Sequence, residues 1–483
     1  MTECECERIQ EKCVQVHYFT EERDKQPKEK YRFSWMLGFS AFTGDLLGVT
    51  YGFSTSWPSS IIPKLQSNNT EVNPLSAPIT PIETATLAAL PLVFNTIGII
   101  ALLVTSKISD KIGRKTSLIC IAAVISLCYL VLAFAKHISI YFLCLALIGL
   151  CDGVITTNLA AYNSEIALDS NRGKVMCFQG LCVPIGNTVA YFAGFTNVKT
   201  IACIGIVCPL SFLCLSYFLP ESPVFLVSNE ARCKKALKRL RGTKDVELEF
   251  LTIKKSTDDT RKFTIFDVFK SRASIKSFAL SVELFSAEIA SGAFLLTAFM
   301  APIFDDARSY VSGNSIGVIS GGIQIVFVFV ASFLVERLGR KPLLLFSSIF
   351  VVLNLFCLGV YFYLINNDIL VNGEYGWIPL FFVVFYYMVY SVGLGPIPFT
   401  MTCELFSHDL KKIGISAVMI VTNIQVFIVL FSFPLITEAI GVHFCLWLYC
   451  LLSIFAFVAI YITIPETKGK SMFEIQDILA RHY

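Results

Sequence analysis

Asp110-Lys-Ile-Gly-Arg-Lys115 recurs, 226 residues further on, as Glu336-Arg-Leu-Gly-Arg-Lys341. Each copy is a charged knot between two long apolar runs, and its glycine supplies the positive φ that a very tight helix-to-helix turn needs. Two further pairs follow in the same order. Glu165 with Arg172 seven residues on is echoed by Glu404 with Lys411 seven residues on, and Pro220-Glu-Ser-Pro223 is echoed by Pro465-Glu-Thr-Lys-Gly469. The offsets of 226, 239 and 245 residues are each about half of the 483-residue chain. Such a repeat predicts an internal duplication with both halves in the same orientation. That is the parallel-repeat design of rocker-type carriers, in which the solute sits between the halves near the bilayer midplane.

Around these knots lie twelve apolar runs of about 20 residues, the length that crosses ~30 Å of hydrocarbon. They centre on 34–57, 84–105, 116–135, 138–161, 175–195, 200–219, 277–301, 315–335, 342–364, 376–402, 414–437 and 442–464. The expected fold is an all-α membrane protein with 12 transmembrane helices in two six-helix bundles. Its parts are a cytoplasmic tail at 1–32, an N-terminal bundle at 33–219, a cytoplasmic linker with short helices at 220–276, a C-terminal bundle at 277–464 and a cytoplasmic tail at 465–483. Composition agrees: 55% of residues are hydrophobic and 16% charged, against roughly 25% charged in soluble chains. A net charge of +3, dispersed over many loops, excludes nucleic acid as a partner. The first 32 residues show neither an apolar stretch nor a cleavage site, so the first apolar run is expected to serve as targeting signal and first span.

Orientation follows from the basic residues. Of 39 Lys and Arg, only Lys64, Lys136, Lys199 and Arg308 fall on the side opposite the N-terminus. That bias places both termini in the cytoplasm. The one Asn-x-Ser/Thr sequon, at Asn68, falls in the first outer loop and is a candidate glycosylation site. None of the 17 cysteines lies in an outer loop, as reduced thiols require. The expected location is the plasma membrane, with the lipid bilayer and a small-molecule solute as partners. No cofactor or metal is expected. Nor is an enzyme, because the five histidines are far apart and no nucleophile motif accompanies them.

The repeated charges all sit at the inner mouth. Asp110, Arg114, Glu165, Arg172, Glu221, Glu336, Arg340, Glu404, Lys411 and Glu466 are the candidate gating residues. They are expected to pair between neighbouring helices and between halves. Losing one partner of such a pair in a partly desolvated site costs ~3–5 kcal/mol, so pairs satisfied in one state only suit alternating access. Fixing topology would require the cations alone, yet the carboxylates are repeated too. Gly44, Gly48 and Gly52 form a smooth face for close helix packing. Gly393, Gly395, Pro396 and Pro398 break the tenth run mid-membrane and mark a hinge or cavity wall. The basic run Arg232–Arg241 in the linker predicts a surface helix, either solvated or touching anionic lipid.

With these elements assembled, the chain resembles the sugar porters of the major facilitator superfamily, most of all the insect facilitated trehalose-transporter-like branch. The resemblance runs over nearly all of 34–470. It rests on Asp110–Lys115 and Glu336–Lys341, on Tyr162, Glu165, Arg172 and Gly173, on Pro220–Val224, on Gly395–Phe399 and on Pro465–Gly469. The resemblance implies the major facilitator fold and passive or proton-coupled movement of a sugar. The framework matches better than the pocket. Where the family has Gln-Gln-x-Ser-Gly-x-Asn in span 7, this chain reads Glu288-Ile-Ala-Ser-Gly-Ala-Phe294, with all three amides gone. The family glutamine of span 5 falls on Gly180, with Gln179 beside it. The span-10 tryptophan is Phe399, the span-11 Asn-Trp pair is Thr422-Asn423, and the span-4 arginine is Leu145. The candidate solute-binding residues are therefore Gln324, Thr422, Asn423, Phe399, Glu288 and Gln179.

Glu288, with Asp45, Asp152 and Glu283, places acid inside spans that hold no base, and an intramembrane acid is a functional residue by default. Proton-coupled sugar porters carry an acid in span 1 where this chain has Ser54, which favours passive carriage. Three readings stay open. The first is a facilitative carrier of trehalose or a hexose. The second is a carrier of a less hydroxylated or cationic solute, proton-coupled or not. The third is a sensor that binds without translocating.

Overall fold

The computed structural model describes residues 34–75, 77–104, 112–168, 171–242, 246–258, 265–305, 310–367, 369, 375–407, 410–470 and 472–481. All regular structure among them is helical. The first half holds α1 (Trp35–Leu65), α2 (Pro81–Val104), α3 (Arg114–Leu132), α4 (Ile138–Ile166), α5 (Arg172–Ala193) and α6 (Val198–Ser216). The linker carries α7 (Glu230–Arg241) and α8 (Glu247–Asp258). The second half holds α9 (Arg272–Ala290), α10 (Ala293–Asp305), α11 (Gly313–Leu338), α12 (Arg340–Asn366), α13 (Ile378–Val392), α14 (Ile397–Leu405), α15 (Lys411–Ile440) and α16 (Val442–Thr463), and α17 (Met472–Arg481) ends the chain.

Local chemistry sets the starts. Ser34, Asn197 and Ser312 accept hydrogen bonds from the backbone N–H groups of Met36, Thr200 and Ser315. Thr80 and Glu83 form a reciprocal capping box at α2. Gly113 (φ +93°) and Gly339 (φ +97°) make the tight turns expected from the repeated knots.

Among the described residues, ten rods are long and apolar enough to cross a membrane, counting α9 with α10 and α13 with α14 as one each. The other two, α1 and α5, are less apolar because they face each other and the neighbouring half. Gly52 lies against the Val183 backbone and Gly186 against Val49, so no side chain separates the two helices. Each half packs in the same order: α2 on α4 and α3 on α6 in the first, α11 on α13 and α12 on α16 in the second. Phe134, Leu143, Val207, Phe329 and Phe455 point outward from the bundle, as a lipid-facing surface requires.

One end of the bundle carries the linker, and the other carries the α1–α2 loop in which Asn68 is exposed. The linker is a docked element. Cys233, Leu237 and Leu240 of α7 are buried, the first two with Val246 and Phe250 beside α8. Lys234 pairs with Glu230 and Glu247, while Arg241 pairs with Glu249 and donates to the Ile166 carbonyl at the end of α4. Two cations of the basic run, Lys234 and Arg241, are thus met by acids of the linker itself. Several boundaries differ from the sequence expectation, the first rod ending at Leu65 rather than 57. The seventh rod begins at Arg272 rather than 277, and the C-terminal tail forms α17, held on α9 and α14 by Lys276 and Gln476.

Candidate solute site and gates

At the linker end the three repeated motifs of each half converge. A helix start presents free N–H groups and a positive dipole end, so a carboxylate is favourable there. Glu221 accepts from the backbone N–H of Lys115 (3.0 Å) and of Ser222 (3.0 Å). Arg114 lies 3.4 Å from Glu165, whose carboxylate also accepts from the Ser222 hydroxyl. The second half repeats the construction. Glu466 accepts from the N–H groups of Arg340 (3.1 Å) and Lys341 (3.0 Å), Arg340 lies 2.8 Å from Glu404, and Thr467 donates to Glu404 at 2.6 Å. Lys115 and Lys341 donate to the carbonyls of Leu219 and Tyr461. Burial pushes the Glu466 carboxyl up, but the N–H donors of Lys468, Arg340, Lys341 and Thr467 outweigh it and hold the group below its usual range.

These ties join helices of one half, whereas pairing between halves was also expected. Glu165 is met by Arg114, and Glu404 by Arg340 rather than by Lys411, which opens α15. Glu336 is exposed in the last turn of α11, and Arg172 opens α5. Asp110 lies outside the described residues.

Between the halves, two rods are broken. The first break lies between Ala290 and Ala293, where Gly292 has φ +80°. Tyr386 donates to the Ser291 carbonyl (2.9 Å) and Ser453 to that of Ala290 (2.8 Å). The second runs from Gly393 through Pro396, with Pro398 in the first turn of α14, where all four hinge candidates were placed. Ser347 donates to the Val389 carbonyl (3.0 Å) and accepts from the Leu394 N–H (3.2 Å). Side-chain hydroxyls thus satisfy backbone groups that each break frees, as mid-membrane irregularity requires. Glu288, just before the first break, accepts from the hydroxyl of Tyr390, just before the second, at 2.9 Å.

The halves meet toward the sequon end and at the midplane. Ser59 of α1 accepts from the Ala301 N–H of α10 (2.9 Å), and Tyr191 of α5 donates to the Thr297 carbonyl (2.8 Å). Gly317 and Gly321 of α11 lie against Tyr191 and Thr188 of α5. Asn423 of α15 donates to Asn95 of α2 (2.9 Å), so this candidate serves as a tie between halves in this state. Among the described residues, the linker-side pieces α9 and α14 make no extensive contact with the first half. Gly180 and Gly322 face open space, and Phe399 is 45% exposed. The gap therefore opens toward the linker end. Gln179 accepts from Asn163, which also donates to Asp45 (2.8 Å), and Gln324 is half-buried on α11. Thr422 is buried, with its hydroxyl donating to the Val418 carbonyl of its own helix.

Residues 33–479 match the sugar (and other) transporter family. The chain belongs to that family. It is a family of transporters and not of enzymes, and this member is a multi-pass membrane protein. The chain is 28% identical over 481 residues to the facilitated trehalose transporter Tret1 of Anopheles gambiae, covering 95% of this chain and 59% of that protein. It is 30% identical to Tret1 of Aedes aegypti, covering 94% and 57%, and 32% identical to Tret1 of Polypedilum vanderplanki, covering 76% and 74%. The chain thus spans under two thirds of the length of the Anopheles and Aedes proteins. In three dimensions it is similar to the inward open conformation of the xylose transporter XylE from E. coli. That match has a TM-score of 0.75 and 19% identity, over 91% of this chain and 98% of that one. Against the proton:xylose symporter XylE bound to 6-bromo-6-deoxy-D-glucose the TM-score is 0.69 at 19% identity, over 93% and 100%. The fold is that of the major facilitator transporters.

Within this sugar-transporter framework the sequence reading missed three groups. Asn95 and Asn163 look like isolated polar residues until a partner helix reaches them. Tyr386, Tyr387 and Tyr390 form a ring cluster whose centroids lie 5.2–6.3 Å apart, and their spacing in the sequence is visible as a one-faced pattern. Gly313, Gly317 and Gly321 recur every fourth residue, as Gly44, Gly48 and Gly52 do, and face α10 and α5.

Proposed function

We propose that this family member is a facilitative carrier that moves a sugar, trehalose or a hexose, by alternating access. One observation supports this above the others. The two halves hold each other toward the sequon end, while the linker-side pieces of both broken helices make no extensive contact with the first half, so polar groups between the halves face a gap open at one end. Sugar hydroxyls both donate and accept, which suits the amides of Gln179 and Gln324, and the exposed ring of Phe399 suits the C–H side of a sugar.

The lysine and arginine bias supports a cytoplasmic linker end and cytoplasmic termini in this reading, with the Asn68 sequon on the outer face of the plasma membrane as a candidate glycan site. The charge clusters then act as the inner gate. In the inward-open state they brace each half, and in the opposite state their outward-facing members meet across the gap. Rigid halves, breaks at Gly292 and Gly393–Pro398, and clusters that can re-pair are the parts a rocking carrier needs. Ser54, which has no carboxyl to load a proton, supports passive carriage.

Uptake of labelled trehalose and glucose into proteoliposomes, with and without a pH gradient, tests the reading. Saturable flux that ignores the gradient is expected. Dependence on the gradient would replace uniport by symport, and binding without flux would replace the carrier by a sensor.

A further inference from the structure

The mid-membrane acid Glu288 lies beside both helix breaks, bonded to Tyr390, and has no cation beside it among the described residues. Its residue is 8% exposed, and only one oxygen is occupied, by the Tyr390 hydroxyl. Among the described residues no lysine, arginine or histidine pairs with it. Around it stand aromatic rings: Tyr386 and Tyr390 stack with planes 7° apart, and Tyr387 meets both edge-on. Tyr51 of α1, from the other half, is within electrostatic range of Glu288. A carboxylate with one free oxygen and several tyrosine faces is a cradle for an ammonium group, which gains a charge-assisted hydrogen bond and the negative faces of the rings. An ionised carboxylate accepts from a sugar hydroxyl but cannot donate to one, so a neutral sugar gains less from it than an ammonium group does.

We propose that the solute is an amino sugar, held by its ammonium group on Glu288 and by its hydroxyls on the half-buried amides Gln179 and Gln324. The inference rests on the sugar-carrier reading and narrows it. Glu288 sets specificity, and Tyr390 orients it by holding one oxygen. A solute bridging Glu288 and Tyr51 touches both halves, which is what couples occupancy to the rocking of one half on the other.

Uptake of glucosamine, glucose, N-acetylglucosamine and choline into proteoliposomes tests this. Acetylation keeps the ring and removes the charge, while choline keeps the charge and removes the ring. Glucosamine is expected to half-saturate uptake at about one tenth of the glucose concentration or below, with N-acetylglucosamine no better than glucose and choline not carried. Glu288→Gln, checked for an unchanged gel-filtration profile, is expected to erase the glucosamine advantage, bringing the ratio of glucosamine to glucose uptake down to about one. Equal handling of glucosamine and glucose by the wild-type protein overturns the inference and leaves the sugar carrier standing. A Glu288→Gln variant that is well folded but loses both sugars equally also overturns it, since Glu288 would then be structural. Transport of choline without any sugar overturns both readings. The wild-type contrast between glucosamine and N-acetylglucosamine decides the matter should the variant fail to fold.

Discussion

Glu466 shows how much one side chain can organise at the end of a membrane helix. Its carboxylate closes the start of α12 through the N–H groups of Arg340 and Lys341 and also takes the Lys468 N–H of its own strand of tail. Those donors outweigh the effect of burial, so the folded protein binds this proton more weakly than the unfolded chain does. The sign follows from linkage. A depressed folded value gives stability that is present above the ordinary carboxyl range, near pH 4.5, and is lost as pH falls below it. Glu466→Gln is therefore expected to lower stability at pH 7 by about 1–3 kcal/mol, the worth of hydrogen bonds to a charged acceptor. Its melting temperature should also depend less on pH between about 5 and 3 than that of the wild type. Differential scanning fluorimetry in detergent checks both. A variant with an unchanged acid limb would show that other carboxylates carry the dependence.

Among elements, the linker helix and the second break are the informative pair. Arg241 of α7 is 6% exposed, and its guanidinium is shared between Glu249 and the Ile166 carbonyl. Arg241→Ala leaves that carbonyl and part of Glu249 unpaired, an expected cost of about 3 kcal/mol. Because the contact joins linker to bundle, the loss should appear as faster protease cleavage within 220–271, with the membrane rods intact. Equal cleavage rates would mean that the apolar face of α7 alone holds the linker. At the second break the limit is space. A methyl group on Gly393 would fall on the Ser347 side chain and, at 2.5 Å, on the Leu343 carbonyl, a backbone atom that cannot turn away. Gly393→Ala is expected to cost about 1–3 kcal/mol by overpacking α12 against α13 and to slow transport. Wild-type flux at wild-type stability would show that the break tolerates a side chain.

At the scale of the whole molecule, the equilibrium between states rests on how closely α5 approaches α11. Gly317 lies where a Cβ would sit 2.5 Å from the Tyr191 ring, and Gly321 lies against Thr188, so closure at the sequon end needs hydrogen at both positions. Gly317→Val should wedge that end open, cut transport at least about tenfold if closure costs 1.4 kcal/mol more, and leave the fold unchanged. Thiol labelling of a cysteine placed at Gly180, which faces open space in the present state, should fall in the wedged variant; undiminished labelling would show that closure tolerates the larger side chain. The duplication, the rods, the tight turns at Gly113 and Gly339 and the break at Gly393–Pro398 were all legible in the sequence. Each is fixed by local steric rules or by the length of apolar chain that a bilayer demands. The partners were not legible. That Arg114 meets Glu165, that Asn423 meets Asn95, and that Glu288 meets Tyr390 was decided only by tertiary packing. Residues distant in sequence become neighbours through helix crossings, and a hydrogen bond depends on tenths of an ångström that apolar periodicity does not encode.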